Sequence, residues 1–163
     1  MNTNTNDPIG STSIFVYQVS ITQDMLDELG HANYNELKKV FETVRHRLCK
    51  HLGFGRKTLR KKLNVGLVMI EDTYKYHKSL KIGDTIFFLA KIEAISATRL
   101  VINLRVCRWC TGLLEFAELS NEVSYTMALI NLKTEKAVRI PKPIVKEIEK
   151  YTTTMERLST QWK

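Results

Sequence analysis

The stretch Asp27-Glu28-Leu29-Gly30-His31-Ala32-Asn33-Tyr34-Asn35-Glu36-Leu37-Lys38-Lys39-Val40-Phe41-Glu42-Thr43-Val44-Arg45 decides the fold. Tyr34, Leu37, Phe41 and Val44, with Leu48 and Leu52 beyond them, recur at three- and four-residue intervals. Such spacing draws one apolar stripe along a helix and leaves the intervening Lys, Glu and Arg for the other faces. It predicts a helix from about Tyr34 to Leu52. Asn33 stands just ahead of the stripe and Glu36 three residues later, an Asn version of the capping box. Gly53 and Gly55 stop the helix. Upstream, 24–30 is a polar connection, and 14–21 is rich enough in β-branched and aromatic residues for a first strand.

Downstream the period changes from helical to strand-like. Strands are predicted at about 65–76, 85–94, 100–109 and 115–131. Leu100, Ile102, Leu104 and Val106 alternate with more polar partners, as do Val123, Tyr125, Met127 and Leu129. Gly83-Asp84 and Thr111-Gly112 mark turns. Pro141 and Pro143 open a short helix near 144–150, with Ile144, Val145 and Ile148 as its buried side. The order is therefore strand, long helix, four long antiparallel strands, an α+β arrangement in which the helix lies across the apolar face of the sheet. One helix cannot cover so much apolar strand, so sheet edges are expected to pair between subunits.

The chain has 163 residues, 44% hydrophobic and 26% charged, an ordinary globular composition. Residues 1–13 are polar and read as a loose tail rather than a signal peptide, 14–150 as the folded domain, and 151–163 as a C-terminal tail. No run of about 18 apolar residues offers a membrane span, and a cytoplasmic location is expected. Cys107-Arg108-Trp109-Cys110 has CxxC spacing, but nothing completes a four-ligand site, so no metal is expected. The net charge of +8 is concentrated: from Lys38 to Lys62 lie ten basic residues and a single acid, Glu42. A concentrated basic surface attracts polyanions, whether coenzyme A phosphates, an acidic carrier protein or nucleic acid.

The 27–45 stretch resembles the signature of hot-dog-fold thioesterases of the 4-hydroxybenzoyl-CoA thioesterase type, roughly D-x-x-G-H-V-N-N-x-x-Y-x-x-x-F-E-x-A-R. Asp27, Gly30, His31, Asn33, Phe41, Glu42 and Arg45 fall into place without a gap. Thr73-Tyr74-Lys75-Tyr76, Leu80-Lys81-Ile82-Gly83-Asp84 and Arg139-Ile140-Pro141 extend the likeness, which covers about 14–150. The resemblance implies an antiparallel sheet of about five strands wrapped round a central helix, homodimers or homotetramers, and sites at subunit interfaces. It also implies hydrolysis of an acyl thioester of coenzyme A or acyl carrier protein, with no cofactor.

In that frame Asp27 is the catalytic carboxylate, as nucleophile or general base. The backbone N–H of Tyr34, in the first helical turn, polarises the carbonyl, a role typically worth on the order of 3 kcal/mol. Gly30 lets the backbone turn tightly beside the ligand. His31 orients the carboxylate or water, Asn33 caps the helix or bonds the substrate, and Leu37 joins the substrate-binding set. Relatives often carry Asp where Met25 stands, and Asn or His in place of Tyr34. Some hold phosphates with several basic residues in the loop that here reads 95–99 and supplies only Arg99. Lys57, Arg60 and Lys61 are the compensating candidates. The alternatives are a non-catalytic module binding an acidic partner or nucleic acid through 38–62, and a dehydratase using His31 or His77. Nucleic acid is disfavoured because few aromatic residues, Phe54 the main one, interleave with the basic residues.

Overall fold

A computed structural model describes residues 16–108 and 118–161. The strands are β1 (Val16–Ser20), β2 (Val65–Tyr76), β3 (Thr85–Ile95), β4 (Arg99–Arg108) and β5 (Glu118–Asn131). The helices are α1 (Tyr34–His51), a single turn α2 (Arg56–Thr58) that runs on into a π-turn at Leu59–Leu63, and α3 (Lys142–Gln161). One antiparallel sheet takes the order β1-β3-β4-β5-β2. The expected α+β hot-dog arrangement is what forms: a curled five-stranded sheet with α1 against its apolar face.

Period-two alternation decides that face. Ile86, Phe88, Ala90 and Ile92 of β3, the four alternating apolar residues of β4, and Val123, Tyr125, Met127 and Leu129 of β5 are all buried. Phe41, Val44 and Leu48 of α1 have no exposed surface and pack into the same core. The Phe41 ring lies 5.9 Å from Tyr74 on β2 and 5.8 Å from Phe88 on β3, so the helix spans the sheet. Each fully buried side chain of this size contributes roughly 1.5–3 kcal/mol. Bulges at Met69/Glu71, Ile92/Ala94 and Val106/Cys107 add local bend and twist to the sheet.

Two elements differ from the sequence-based expectation, and for a third, the stretch after α1, the sequence assigns no structure. The basic stretch after α1 is folded, because Leu59 is buried and pins the turn to the core. The C-terminal helix continues past 150 to Gln161, and Tyr151 is buried with its hydroxyl donating to the Ala90 carbonyl at 2.6 Å. The capping box half forms: Asn33 Oδ1 accepts from the Asn35 N–H, but the Asn33 N–H already donates to the Met25 carbonyl at 2.7 Å. Glu36 pairs with Lys39 instead. The 1–13 tail, Trp109, Cys110, the turn at 111–112 and the first residues of the predicted strand at 115–131 lie outside the described residues. Among those described, no helix is long and apolar enough to cross a membrane.

Candidate active site

The chain reaches α1 through a tight loop. Leu26 and Ala32 bridge antiparallel, the Asp27 N–H donates to the His31 carbonyl at 2.7 Å, and the Gly30 N–H donates to the Asp27 carbonyl at 3.1 Å. Closing this turn puts Gly30 at φ +77, left-handed backbone that favours glycine. A second turn props the loop from below: Ala32 N–H donates to the Leu80 carbonyl, His31 bridges Lys81, and Asp84 accepts from the Lys81 N–H.

The loop fixes Asp27. Its Oδ1 accepts from the N–H groups of Leu29 and His31, both at 2.9 Å. Its Oδ2 has no protein partner among the described residues. One carboxylate oxygen is thus an anchor and the other faces outward on an exposed side chain. It is the His31 backbone that orients the carboxylate, while the imidazole has no partner among the described residues. Six residues past Asp27, Asn33 caps α1, and among the described residues the first-turn N–H groups of Tyr34 and Glu36 have no acceptor at the positive end of an 18-residue helix.

The other predicted residues divide. Asp27, Gly30, His31, Asn33 and Tyr34 share this one loop and helix start. Leu37 is 3% exposed and belongs to the core rather than to the surface round Asp27. Phe41, Glu42 and Arg45 of the motif are structural: Phe41 is buried, and Arg45, paired with Glu42, is buried 5.5 Å over the Tyr125 ring and 3.3 Å from Met127 Sδ. Lys57, Arg60 and Lys61 lie exposed beyond the other end of α1. Arg99 sits at that end too, opposite Ala128, which itself pairs with Val68 near the start of β2. Within one copy, these cations and Asp27 are not brought together.

Sequence reasoning missed an aromatic cluster beside the helix start. The Tyr34 ring lies 5.7 Å from both Tyr74 and Tyr76, edge-on to each. Lys38 Nζ stands 5.3 Å from the Tyr74 centroid and 3.4 Å from Asp72, whose carboxylate also accepts from the Tyr74 hydroxyl at 3.2 Å. Desolvation pushes the Tyr74 and Tyr76 hydroxyls further above the ordinary tyrosine range. The signal was Tyr74-x-Tyr76, two aromatic residues on one face of a strand. Among the described residues no thiol competes as nucleophile: Cys49 is buried and its thiol pushed up to about 12, and burial raises that of Cys107 too. Among the described residues no three His, Cys, Asp or Glu side chains gather as a metal site would need. A groove of about 240 Å³ between β3 and α3, lined by Ile92, Ile95, Ile148 and Thr152, is remote from Asp27.

The fold agrees with what the chain is similar to. A hypothetical protein from Staphylococcus aureus, solved in complex with CoA, superposes with a TM-score of 0.78 at 20% identity, covering 91% of this chain and 89% of that one. A 1,4-dihydroxy-2-naphthoyl-CoA thioesterase from Synechocystis gives 0.70 at 16% identity, covering 82% and 94%. A DHNA-CoA thioesterase from Staphylococcus aureus gives 0.67 at 18% identity, covering 91% and 94%. No curated protein sequence is a significant match. Residues 21–148, a span that holds both the 27–45 motif and the whole sheet from β2 to β5, match a family profile, and the chain belongs to the thioesterase-like superfamily.

Proposed function

We propose that the protein hydrolyses an acyl-coenzyme A thioester to the free acid and the thiol, with Asp27 acting on the carbonyl beside the start of α1. The observation that carries this is the division of labour at Asp27: Oδ1 is held by two backbone N–H groups, while Oδ2 is left free on the loop that leads into unpaired helix N–H groups. As general base, Oδ2 takes a proton from water as its oxygen attacks the carbonyl carbon. The oxyanion is stabilised by the Tyr34 N–H, and the C–S bond then breaks as the departing sulfur takes the proton. As nucleophile, Oδ2 bonds to the carbonyl carbon and expels the thiol, and water then opens the mixed anhydride. A carrier-protein thioester would enter the same chemistry. Two buried, free cysteines suit a reducing compartment such as the cytoplasm.

One copy leaves this site open. Asp27 is exposed, and Leu29 and Ile82 close by are 80% and 57% exposed. Along the unpaired edge of β2 lie further exposed apolar residues, Met69, Ile70 and Tyr76. We therefore take the working unit to be at least a homodimer joined along β2, its second copy closing over the site.

The test is Asp27→Asn, assayed by thiol release over a panel of acyl-coenzyme A thioesters. A fall in kcat of about 10²–10⁴, the usual contribution of a positioned acid or base, with unchanged secondary structure and assembly, is expected. Wild-type turnover in the variant would remove Asp27 from the chemistry. In a single turnover in ¹⁸O-water, label found in the carboxylate of Asp27 establishes the anhydride route, since only water attack on the Asp27 carbonyl of the anhydride can place it there.

A further inference from the structure

We infer that the basic turn at Arg56–Lys61 of one copy binds the diphosphate of a coenzyme A thioester whose acyl carbonyl is held at Asp27 of the other copy. This rests on the hydrolase reading above and adds to it where the nucleotide end of the substrate goes. The turn is built for an outside anion. Leu59 is 1% exposed and fixes it to the core, while Arg56, Lys57, Arg60 and Lys61 are all exposed. Among the described residues none of these four cations has a carboxylate partner.

Reach keeps the diphosphate of a thioester held at Asp27 away from the turn of the same copy. The 18 residues of α1 span about 27 Å at roughly 1.5 Å per residue, and the turn follows the far end of that helix. Between the sulfur and the first phosphorus of coenzyme A lie thirteen bonds. At about 3.3–3.6 Å for every three bonds of extended chain, they reach roughly 15 Å.

The second copy supplies what reach forbids. α1 and β2 run in opposite directions: Tyr34 and Lys38, at the start of α1, touch Tyr74, Tyr76 and Asp72, at the end of β2. The turn leads directly into the start of β2, where the Leu132 N–H donates to the Asn64 carbonyl. Among the described residues the β2 edge is unpaired, and the exposed apolar residues Leu63, Met69, Ile70, Tyr76 and Leu132 follow it from one end to the other. Antiparallel pairing of two such edges about a two-fold axis sets the end of one β2 beside the start of the other. Each basic turn then stands next to the partner's Tyr34, and so next to the partner's Asp27 loop.

Mixed dimers test this directly. The charge-reversed chain carries Lys57→Glu, Arg60→Glu and Lys61→Glu. Paired with a chain carrying only Asp27→Asn, its intact Asp27 faces an intact turn across the interface, and this dimer should keep the wild-type KM for the acyl-coenzyme A. Wild-type chain paired with a chain carrying all four substitutions should show a KM raised about tenfold or more, the factor that ~1.4 kcal/mol represents. The N-acetylcysteamine thioester of the same acyl group lacks the phosphates, so its KM should not separate the two dimers. The reverse pattern, with the raised KM in the first dimer, would assign the turn to its own copy and overturn the proposal. Equal KM values in both dimers would overturn it as well. Should no thioester be cleaved by any form, the hydrolase reading fails alone, and calorimetric titration with coenzyme A still judges the turn. Binding by wild type that weakens tenfold in the charge-reversed protein supports it, and equal or absent binding in both overturns it.

Discussion

At the scale of single residues, the site depends on backbone groups more than on side chains. Asp27 is oriented by two N–H groups, and those N–H groups are aimed by a turn that closes only because Gly30 adopts φ +77. Nothing lies within 4 Å of a Cβ built at Gly30, so Gly30→Ala meets no steric obstacle and its cost is conformational. That cost is about 1–2 kcal/mol for an L-residue in left-handed backbone. Thermal unfolding should show a loss of this size. Turnover should fall as well, since relaxing the turn displaces the Leu29 and His31 donors. An alanine variant with wild-type kcat would mean that the turn does not position the carboxylate. The place of Asp27 ahead of the helix, the tight turn at Gly30 and the cap at Asn33 were legible in the sequence because each is carried by residue type at fixed spacing. That the His31 backbone, not its ring, holds Asp27 was not legible, since a backbone donor leaves no mark on the identity of the residue that supplies it.

Among the elements, α1 shows how local signals and packing combine. Its stripe, its cap and its stopping glycines could be read directly because helix periodicity and capping act within a few residues of chain. The strands could be read for the same reason: β2 occupies the span that alternation gave it, residues 65–76. What escaped was decided at longer range. One buried leucine, Leu59, in a run of cations carries no period, yet it folds the turn after α1. The continuation of α3 depends on Tyr151 meeting Ala90, sixty-one residues away in the chain. Tyr34, Tyr74 and Tyr76 gather only when helix and strand are docked. The cap provides a test at this scale. Asn33→Ala removes the acceptor for the Asn35 N–H and should cost about 1 kcal/mol in chemical denaturation, whereas Asn33→Asp or Asn33→Ser should retain most of the stability. If alanine is neutral, the helix start is secured by the Asn33 N–H bond to Met25 instead of by the side chain.

For the whole molecule the deciding feature is unequal sheet edges. Among the described residues β1 is an edge of five residues and β2 an edge of 12. Short edges are poor templates for pairing, and long ones must be paired or protected. β2 has Glu71 and Asp72 for protection, but Met69 and Ile70 beside them are 37% and 49% exposed. An edge that long with apolar side chains at its centre is better suited to a second β2 than to water, and the same pairing is what encloses Asp27 in the proposed enzyme. Replacing Met69 with Glu and Ile70 with Lys should therefore convert the assembly to monomers in sedimentation velocity. The far-ultraviolet circular dichroism should not change, because both side chains already meet solvent in a single copy. Turnover should fall together with the dimer fraction and partly return as protein concentration is raised. Monomers with full turnover would show that one copy suffices for catalysis. A variant that still sediments with the wild-type protein would place the interface away from β2, and the cross-subunit position of the basic turn would fail with it.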